Sequence, residues 1–138
     1  MECHQLLYES IATTSMTLED VINMLEKCNQ QNYEIRLSGL LVFHNHRFMQ
    51  LLEGSKSSVD FIMQKIRKDT RHSNLKILHE SESMERSMGA WAMAFTMNTS
   101  NVEALSAYPF FLSITDAREI TGTMKRELSQ HFTRFLAI

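Results

Sequence analysis

The chain has 138 residues, of which 43% are hydrophobic and 22% charged, ordinary proportions for one soluble globular domain. Its net charge of −2 gives no basis for binding nucleic acid, and neither a membrane span nor a secretion signal is recognisable. Cys3 and Cys28 are too few for a disulfide framework, and no Cys/His cluster has metal-ligand spacing, so we expect a cytoplasmic protein without a metal.

The first predicted element is a strand over residues 4–11, because side chains that alternate between its two faces give a coherent apolar face. A helix follows. Thr17 with Asp20 three residues later is typical of a helix N-terminus, and apolar residues at helical spacing carry the helix to about Asn29.

Residues 36–43 are apolar and predict a second strand, and residues 47–54 predict a third. The connection at residues 44–46 is predicted to be a tight turn, because its central asparagine adopts positive φ at low cost. Ser57 or Ser58 is expected to cap a second helix that has an apolar stripe.

Residues 75–81 and 89–96 predict two more strands. The order β-α-β-β-α-β-β predicts an α+β sandwich of ferredoxin-like type, with both helices on one face of the sheet. Residues 99–112 predict a short helix that Pro109 disrupts, and residues 116–136 predict a C-terminal helix with an apolar stripe. We expect that helix to dock on the open face of the sheet; pairing with another subunit is the alternative.

Polar side chains occur where this pattern predicts burial. Gln50 shares the inward face of its strand with Phe48 and Leu52, and a buried amide without partners costs roughly 1–3 kcal/mol. Tyr8 on the first strand is likewise a polar residue at a position predicted to be buried. So is Asn32, at the end of the apolar stripe of the first helix. This set of donors and acceptors suits a planar heteroaromatic ligand. In the alternative, Tyr8 and Gln50 satisfy each other within an ordinary core.

From about His4 to Phe95 the chain resembles the BLUF family, the blue-light sensors that use FAD. The resemblance is carried, in family order and spacing, by Leu7-Tyr8-Glu9-Ser10, Asn32, Ser38-Gly39-Leu40-Leu41, Phe48-Met49-Gln50-Leu51-Leu52-Glu53-Gly54, Asp69-Thr70-Arg71-His72 and Trp91-Ala92-Met93. It implies that residues 1–97 form a flavin-binding photosensor domain and that residues 98–138 are a helical extension of the same unit.

The resemblance also implies a mechanism. The flavin ring would lie between the two helices, with Asn32 at its edge and Gln50 bridging it to Tyr8. Blue light would excite the flavin, Tyr8 would donate an electron and a proton, and recombination would leave the Gln50 amide rotated or tautomerised. A stronger hydrogen bond to the flavin would shift its absorption to the red. Trp91 and Met93 are the expected relay, and which of them packs beside Gln50 stays open.

The resemblance gives a set of candidate flavin contacts: Tyr8, Met24, Gln31, Asn32, Gln50, Lys65, Asp69, Arg71 and His72. Lys65, Arg71 and His72 would lie near the ribityl-phosphate tail. In the alternative, these residues belong to an ordinary solvated helix face on which Lys65 and Asp69 form an i,i+4 pair. For Lys68 this alternative is preferred. The expected cofactor is FAD, with FMN not distinguished from it.

We therefore expect a photoreceptor without an attached output enzyme, since few residues follow Phe95. It would signal through protein–protein contacts, as a homo-oligomer and with an unidentified partner. A flavin-free ferredoxin-like regulatory or dimerisation module is the alternative function. An enzyme is disfavoured because no nucleophile–base pair, phosphate-binding glycine run or paired catalytic carboxylates appear.

Overall fold

A computed structural model describes residues 3–89, 93–97, 102–106, 108 and 110–137 of the chain. The helices and strands are β1 (Cys3–Ala12), α1 (Leu18–Glu34), β2 (Ser38–His44), β3 (Arg47–Gly54), α2 (Lys56–Lys68), β4 (His72–Ser83), β5 (Ala94–Met97), α3 (Val102–Ser106), α4 (Ile114–Gly122) and α5 (Arg126–Leu136). The predicted β-α-β-β-α-β-β order and the ferredoxin-like α+β fold are confirmed. No helix in the described ranges is long and apolar enough to cross a membrane.

The five strands form one sheet in the order β4-β1-β3-β2-β5. All neighbouring strands are antiparallel except β2 and β5, which are parallel. The predicted turn between β2 and β3 is confirmed: Asn45 and His46 have φ of 52° and 59°, as a two-residue type I′ hairpin loop requires. This short turn fixes the register of β3, which carries Gln50.

The sheet has an apolar core on each face. On one face, α1 and α2 pack their buried residues against Leu6, Tyr8, Phe48 and Leu52 of the sheet. On the other face, α4 and α5 pack against a second set that includes Leu51. The expected docking of the C-terminal region on the open sheet face is thus confirmed, and both faces of the sheet are covered.

The start of α1 agrees with the prediction, because Thr17 and Asp20 form a complete capping box. Its predicted end near Asn29 is wrong, since the helix continues to Glu34. The predicted start of the second strand at residue 36 is also wrong. Arg36 has a φ of 58°, a left-handed conformation that neither helix nor strand accepts, and β2 begins only at Ser38.

Three later boundaries also differ from the predictions. Ser55, not Ser57 or Ser58, caps α2, because its hydroxyl accepts the Ser58 backbone N–H. The fourth strand extends to His72–Ser83 because its whole length pairs with β1. The fifth strand is shorter than residues 89–96: it begins at Ala94, where parallel pairing with β2 starts. Residues 90–92, including Trp91, lie outside the described residues.

The single helix predicted for residues 116–136 is wrong, since two helices, α4 and α5, occupy this region. The break falls after Thr121, Gly122 and Thr123, a β-branched pair around a glycine that has low helix propensity. Lys125 then has φ −56° and ψ 153°, an extended backbone that starts α5 in a new direction. Pro109, expected to disrupt the preceding short helix, lies outside the described residues.

Candidate functional site

Tyr8 and Gln50 form the centre of the site. They are directly opposite residues of the antiparallel strands β1 and β3, and only 4% and 5% of them is exposed. The Tyr8 hydroxyl donates a hydrogen bond of 2.5 Å to Gln50 Oε1. Burial raises the pKa of Tyr8 far above its ordinary value, which keeps the phenol protonated and able to donate.

Met93 completes a chain of three side chains. Gln50 Nε2 donates to Met93 Sδ at 3.5 Å, and Met93 is fully buried just before β5. This orientation of the carboxamide is consistent with its two neighbours, because a phenol O–H needs an acceptor and a thioether sulfur can only accept. Of the two expected relay residues, Met93 therefore contacts Gln50, and Trp91 lies outside the described residues.

A cavity lies between α1 and α2, above the sheet. One part, of about 240 Å³, includes Gln31, Asn32 and Lys65 in its lining; a smaller part, of about 60 Å³, lies beside Tyr8 and His72. Both parts share Met24, Gln50, Asp69 and Arg71. All nine candidate flavin contacts therefore line this cavity, while their role in binding stays a prediction.

The same cavity has lining residues that the candidate set missed: Lys27, Cys28, Leu41, Phe48, Ile62 and Ile66. Helical spacing is the signal that could have found three of them. Met24, Cys28 and Gln31 follow one another at intervals of four and three residues, as neighbours on one helix face do. Ile62 and Ile66 are likewise four residues apart on α2. These side chains give the cavity largely apolar walls.

Asn32 lies in the last turn of α1 and is 3% exposed. Because α1 continues past its predicted end, the carboxamide is held on a rigid helix face that turns toward α2, and it lines the larger part of the cavity together with Gln50. Two carboxamides from opposite sides thus offer both donors and acceptors to the same space.

Charged side chains gather at the same cavity. Arg71 Nε and Nη2 donate to Asp69 at 2.9 and 2.5 Å, and the hydrogen bond from Arg71 lowers the pKa of Asp69. The i,i+4 pair of Lys65 with Asp69, which belonged to the alternative interpretation of this helix face, is not among the ion pairs of the described residues. Asp69 is the extended C-cap of α2 and so leaves the helix face, while Lys65 Nζ lies 4.6 Å from the centre of the Phe61 ring.

His72 has a structural role at the end of the cavity. Its Nε2 is 2.6 Å from the Ile66 carbonyl oxygen and its Nδ1 is 2.7 Å from Ser10 Oγ. Since a carbonyl only accepts, Nε2 carries the proton, and in the neutral ring Nδ1 accepts from the serine hydroxyl. His72 therefore ties the end of α2 to β1 and closes the cavity beside Tyr8.

These residues fit a flavin. A cavity with largely apolar walls between two helices suits a tricyclic ring, and the carboxamides of Asn32 and Gln50 match ring edges that both accept and donate hydrogen bonds. Lys27, Lys65 and Arg71 line the same space and supply positive charge for a phosphate tail.

The fold and the cavity define a ferredoxin-like domain with a cavity between α1 and α2. The family described as sensors of blue-light using FAD (BLUF) matches residues 3–94 of the chain, which is more than half of it. The chain therefore belongs to the BLUF family of blue-light flavin sensors.

Curated relatives support this assignment. The chain is 30% identical over 104 residues to photoactivated adenylate cyclase subunit beta of Euglena longa, a match that covers 75% of this chain and 12% of the relative. It is 31% identical over 70 residues to the blue light- and temperature-regulated antirepressor BluF of Escherichia coli K12, covering 51% of this chain and 17% of the relative. The chain thus spans a small part of the length of these relatives.

Solved structures show the same fold. The dark-state structure of the BLUF protein BlrB has a TM-score of 0.71 at 18% identity, covering 99% of this chain and 96% of that one. The ground state of BlsA has a TM-score of 0.70 at 22% identity, covering 99% and 89%. Klebsiella pneumoniae BlrP1 with FMN and cyclic diGMP has a TM-score of 0.74 at 20% identity, covering 98% and 34%.

Proposed function

We propose that this protein is a blue-light receptor that binds its flavin in the cavity between α1 and α2 and signals through the hydrogen bonds of Gln50. The observation that carries the proposal is the buried chain of Tyr8, Gln50 and Met93, which lies beside a cavity lined by both carboxamides, Gln50 and Asn32. A bound flavin supplies the absorption of blue light and, once excited, a strong one-electron oxidant.

Tyr8 is the electron donor that the chain offers at this cavity. Its phenol is fully protonated, since burial raises its pKa far above the ordinary value, and its oxidation therefore releases a proton as well as an electron. Gln50 Oε1 lies 2.5 Å from the phenolic oxygen and is placed to receive that proton first. Electron loss and proton transfer are thus coupled at one hydrogen bond.

Gln50 is the switch, because a carboxamide both donates and accepts. In the observed orientation its oxygen accepts from Tyr8 and its nitrogen donates to Met93. A half-turn of the amide would aim Nε2 at the phenol and Oε1 at a sulfur that has no proton to donate. A tautomer would instead change the oxygen into a donor without the turn.

Either change exchanges a few hydrogen bonds worth about 1 kcal/mol each. Such an energy tilts an equilibrium about fivefold per bond and does not rebuild a fold. In both forms the contact of Gln50 with Met93 changes, so the change reaches the start of β5. The rotated form also lacks a donor on its Met93 side, which favours thermal return to the dark state.

The cofactor we propose is FAD, with Lys65 and Arg71 near its phosphates and FMN as the alternative. We propose that residues 1–97 and 98–138 act as one unit, because Leu128 and Phe132 of α5 are fully buried against the sheet. The signal would leave through protein–protein contacts, in a homo-oligomer in the cytoplasm, and the chain itself would carry no catalytic activity.

An absorption spectrum of the purified protein, recorded before and after blue light, tests this function. The protein should bind FAD, and its visible band should shift reversibly to the red and recover in darkness. A protein that fails to bind flavin after reconstitution, or a bound flavin with no reversible shift, contradicts the proposal. A protein that fails to bind flavin would favour a flavin-free regulatory module instead.

A further inference from the structure

Glu53 is a buried carboxylate that does not line the cavity between α1 and α2. It lies near the end of β3 with no exposed surface, opposite Gln5 of β1 and Ser38 of β2. Because it follows Gln50 by three residues, it points to the opposite face of the sheet. Burying a charge is costly unless it is fully hydrogen-bonded. The hydrogen-bond partners of Glu53 therefore indicate what the buried carboxylate does.

Among the described residues, each hydrogen-bond partner of the Glu53 carboxylate is a donor. Gln5 Nε2 and the Ser87 backbone N–H donate to Oε2 at 2.7 and 2.6 Å. The Met88 backbone N–H and Ser38 Oγ donate to Oε1 at 2.8 and 3.4 Å. A carboxylate, which only accepts, satisfies this set completely, whereas an amide would place its own N–H₂ against another donor.

These bonds hold the crossover, residues 84–93, which connects β4 at one edge of the sheet to β5 at the other. The structure describes residues 84–89 and 93 of it. Besides its two backbone bonds to the carboxylate, the crossover is held by Arg86, whose Nη1 donates to Ser38 Oγ at 2.9 Å and to the Glu53 carbonyl oxygen at 3.2 Å. Glu53 therefore fastens the crossover where it passes the end of β3.

The crossover ends at Met93, the partner of Gln50. Met88 is 2% exposed, and the five residues from Met88 to Met93 reach at most about 18 Å, so fixing Met88 limits where Met93 can lie. Met93 also lies over Gly39, where an added methyl group would come within 3.2 Å of Met93 Cε. A shift of Met88 that the chain passes on to Met93 would change the 3.5 Å contact of Met93 with Gln50 Nε2.

We propose that Glu53 is a positioning residue for the light response: its carboxylate holds the crossover at Ser87 and Met88 and thereby sets the contact between Met93 and Gln50. The inference rests on the proposed function, in which that contact stabilises the dark orientation of the Gln50 amide. Glu53 acts from the face of the sheet opposite the flavin cavity, so it influences the switch without touching flavin.

The test is the dark-recovery time of Glu53→Gln, which keeps the size of the side chain but loses at least one acceptor. We expect this variant to bind FAD and to show the red shift, with recovery slowed about threefold or more, of the order that one weakened hydrogen bond gives. Met93→Leu should also slow recovery. Its effect on the recovery time should be smaller in the Glu53→Gln background than in the wild type, because Glu53 is proposed to act through the Met93 contact.

Thr121→Val is the matched control, since Thr121 is also a buried polar residue behind the same sheet face, and in the described part of the chain its hydroxyl donates to carbonyls of its own helix. It should lower the melting temperature and leave the recovery time unchanged. The inference is overturned if Thr121→Val slows recovery as much as Glu53→Gln does, or if Glu53→Gln recovers at the wild-type rate. It is also overturned if the recovery time of the double variant is lengthened by the full product of the two single effects of Glu53→Gln and Met93→Leu.

Two further results separate the possible failures. A wild-type protein without a red shift refutes the proposed function and this inference with it, whereas a normal wild-type response with normal recovery of Glu53→Gln refutes the inference alone. If Glu53→Gln fails to fold, Ser87→Pro removes one backbone donor and leaves the carboxylate in place. Slowed recovery of Ser87→Pro supports the inference, and wild-type recovery overturns it.

Discussion

Tyr8 and Gln50 are cross-strand partners, so the register of β1 and β3 fixes their 2.5 Å hydrogen bond. A slip of one residue would send either side chain to the other face of the sheet. Apolar cores on both faces oppose such a slip, and the tight turn at Asn45 and His46 pins β3 from its start. The proposed electron donor and the proposed switch therefore lie on paired strands rather than on loops.

Tyr8→Phe should retain the flavin and lose the red-shifted state. The substitution removes the oxidisable phenol and leaves Gln50 Oε1 without its donor, which should lower the free energy of unfolding by about 1–3 kcal/mol. Visible spectra before and after illumination, together with urea unfolding, measure both effects. Tyr33→Phe is the control, since Tyr33 is 76% exposed and should behave as wild type. A normal red shift in Tyr8→Phe would refute the role of the phenol.

Met93→Leu should slow dark recovery by up to about fivefold. Leucine nearly conserves the volume but removes the sulfur that accepts from Gln50 Nε2, so the dark orientation of the amide loses a partner and the rotated one does not. Time-resolved absorbance after a light pulse measures the rate. Met49→Leu, a buried methionine on the other face of β3, controls for packing; equal slowing in both variants would show that the sulfur contact is irrelevant.

Alternation and helical spacing predict much of this molecule because they report which face a residue occupies. They place Tyr8 and Gln50 inward and put Asn32 on the stripe of α1, and the structure agrees. They cannot predict the contact of Met93, because it depends on the path of the chain between β4 and β5, where the hydrogen bonds of Ser87 and Met88 go to Glu53, a residue distant in sequence. The break between α4 and α5 was missed for a related reason: the apolar stripe continues across it.

His4 should make stability depend on pH. Burial alone would lower the pKa of His4, but hydrogen bonds with the carboxylates of Glu82 and Glu80 outweigh it and raise that pKa above its ordinary value. The stabilisation is complete below the unfolded-state pKa of about 6.5 and is lost as pH rises through the higher folded-state pKa. Both carboxylates are partly exposed, so we expect on the order of 1 kcal/mol.

The measurement is the difference in unfolding free energy between wild type and His4→Gln from pH 5.5 to 8.5. The difference should be largest at the acidic end and should shrink toward the alkaline end. In a background that carries Glu80→Gln and Glu82→Gln, burial is the remaining influence on His4, and the difference should no longer grow at low pH. A difference that increases with pH in the native background would show that the carboxylates do not hold a protonated His4.

Leu128→Ala tests whether α5 belongs to the same folding unit as the sheet. Leu128 is fully buried on the face opposite the cavity between α1 and α2, so the substitution should cost about 2–5 kcal/mol in one cooperative urea transition. Gln130→Ala, at an exposed position of α5, should change stability by less than about 0.5 kcal/mol. Two separate transitions, or an unchanged main transition in Leu128→Ala, would mean that the C-terminal helices fold apart from the sheet.

Lys65→Gln should weaken the binding of FMN and leave that of riboflavin unchanged, because the two ligands differ by the phosphate alone. Lys65 lines the cavity and packs on Phe61 without an ion pair among the described residues, whereas Arg71 is already paired with Asp69. Lys65 is therefore more available to a phosphate than Arg71 is. For one exposed charge we expect a two- to fivefold effect, that is, up to about 1 kcal/mol, which salt should reduce.

Lys68→Gln, three residues further along α2 and absent from the cavity lining, is the control. Equal losses in both variants would indicate a general charge effect, and equal losses of FMN and riboflavin in Lys65→Gln would place its action on the ring rather than on the phosphate.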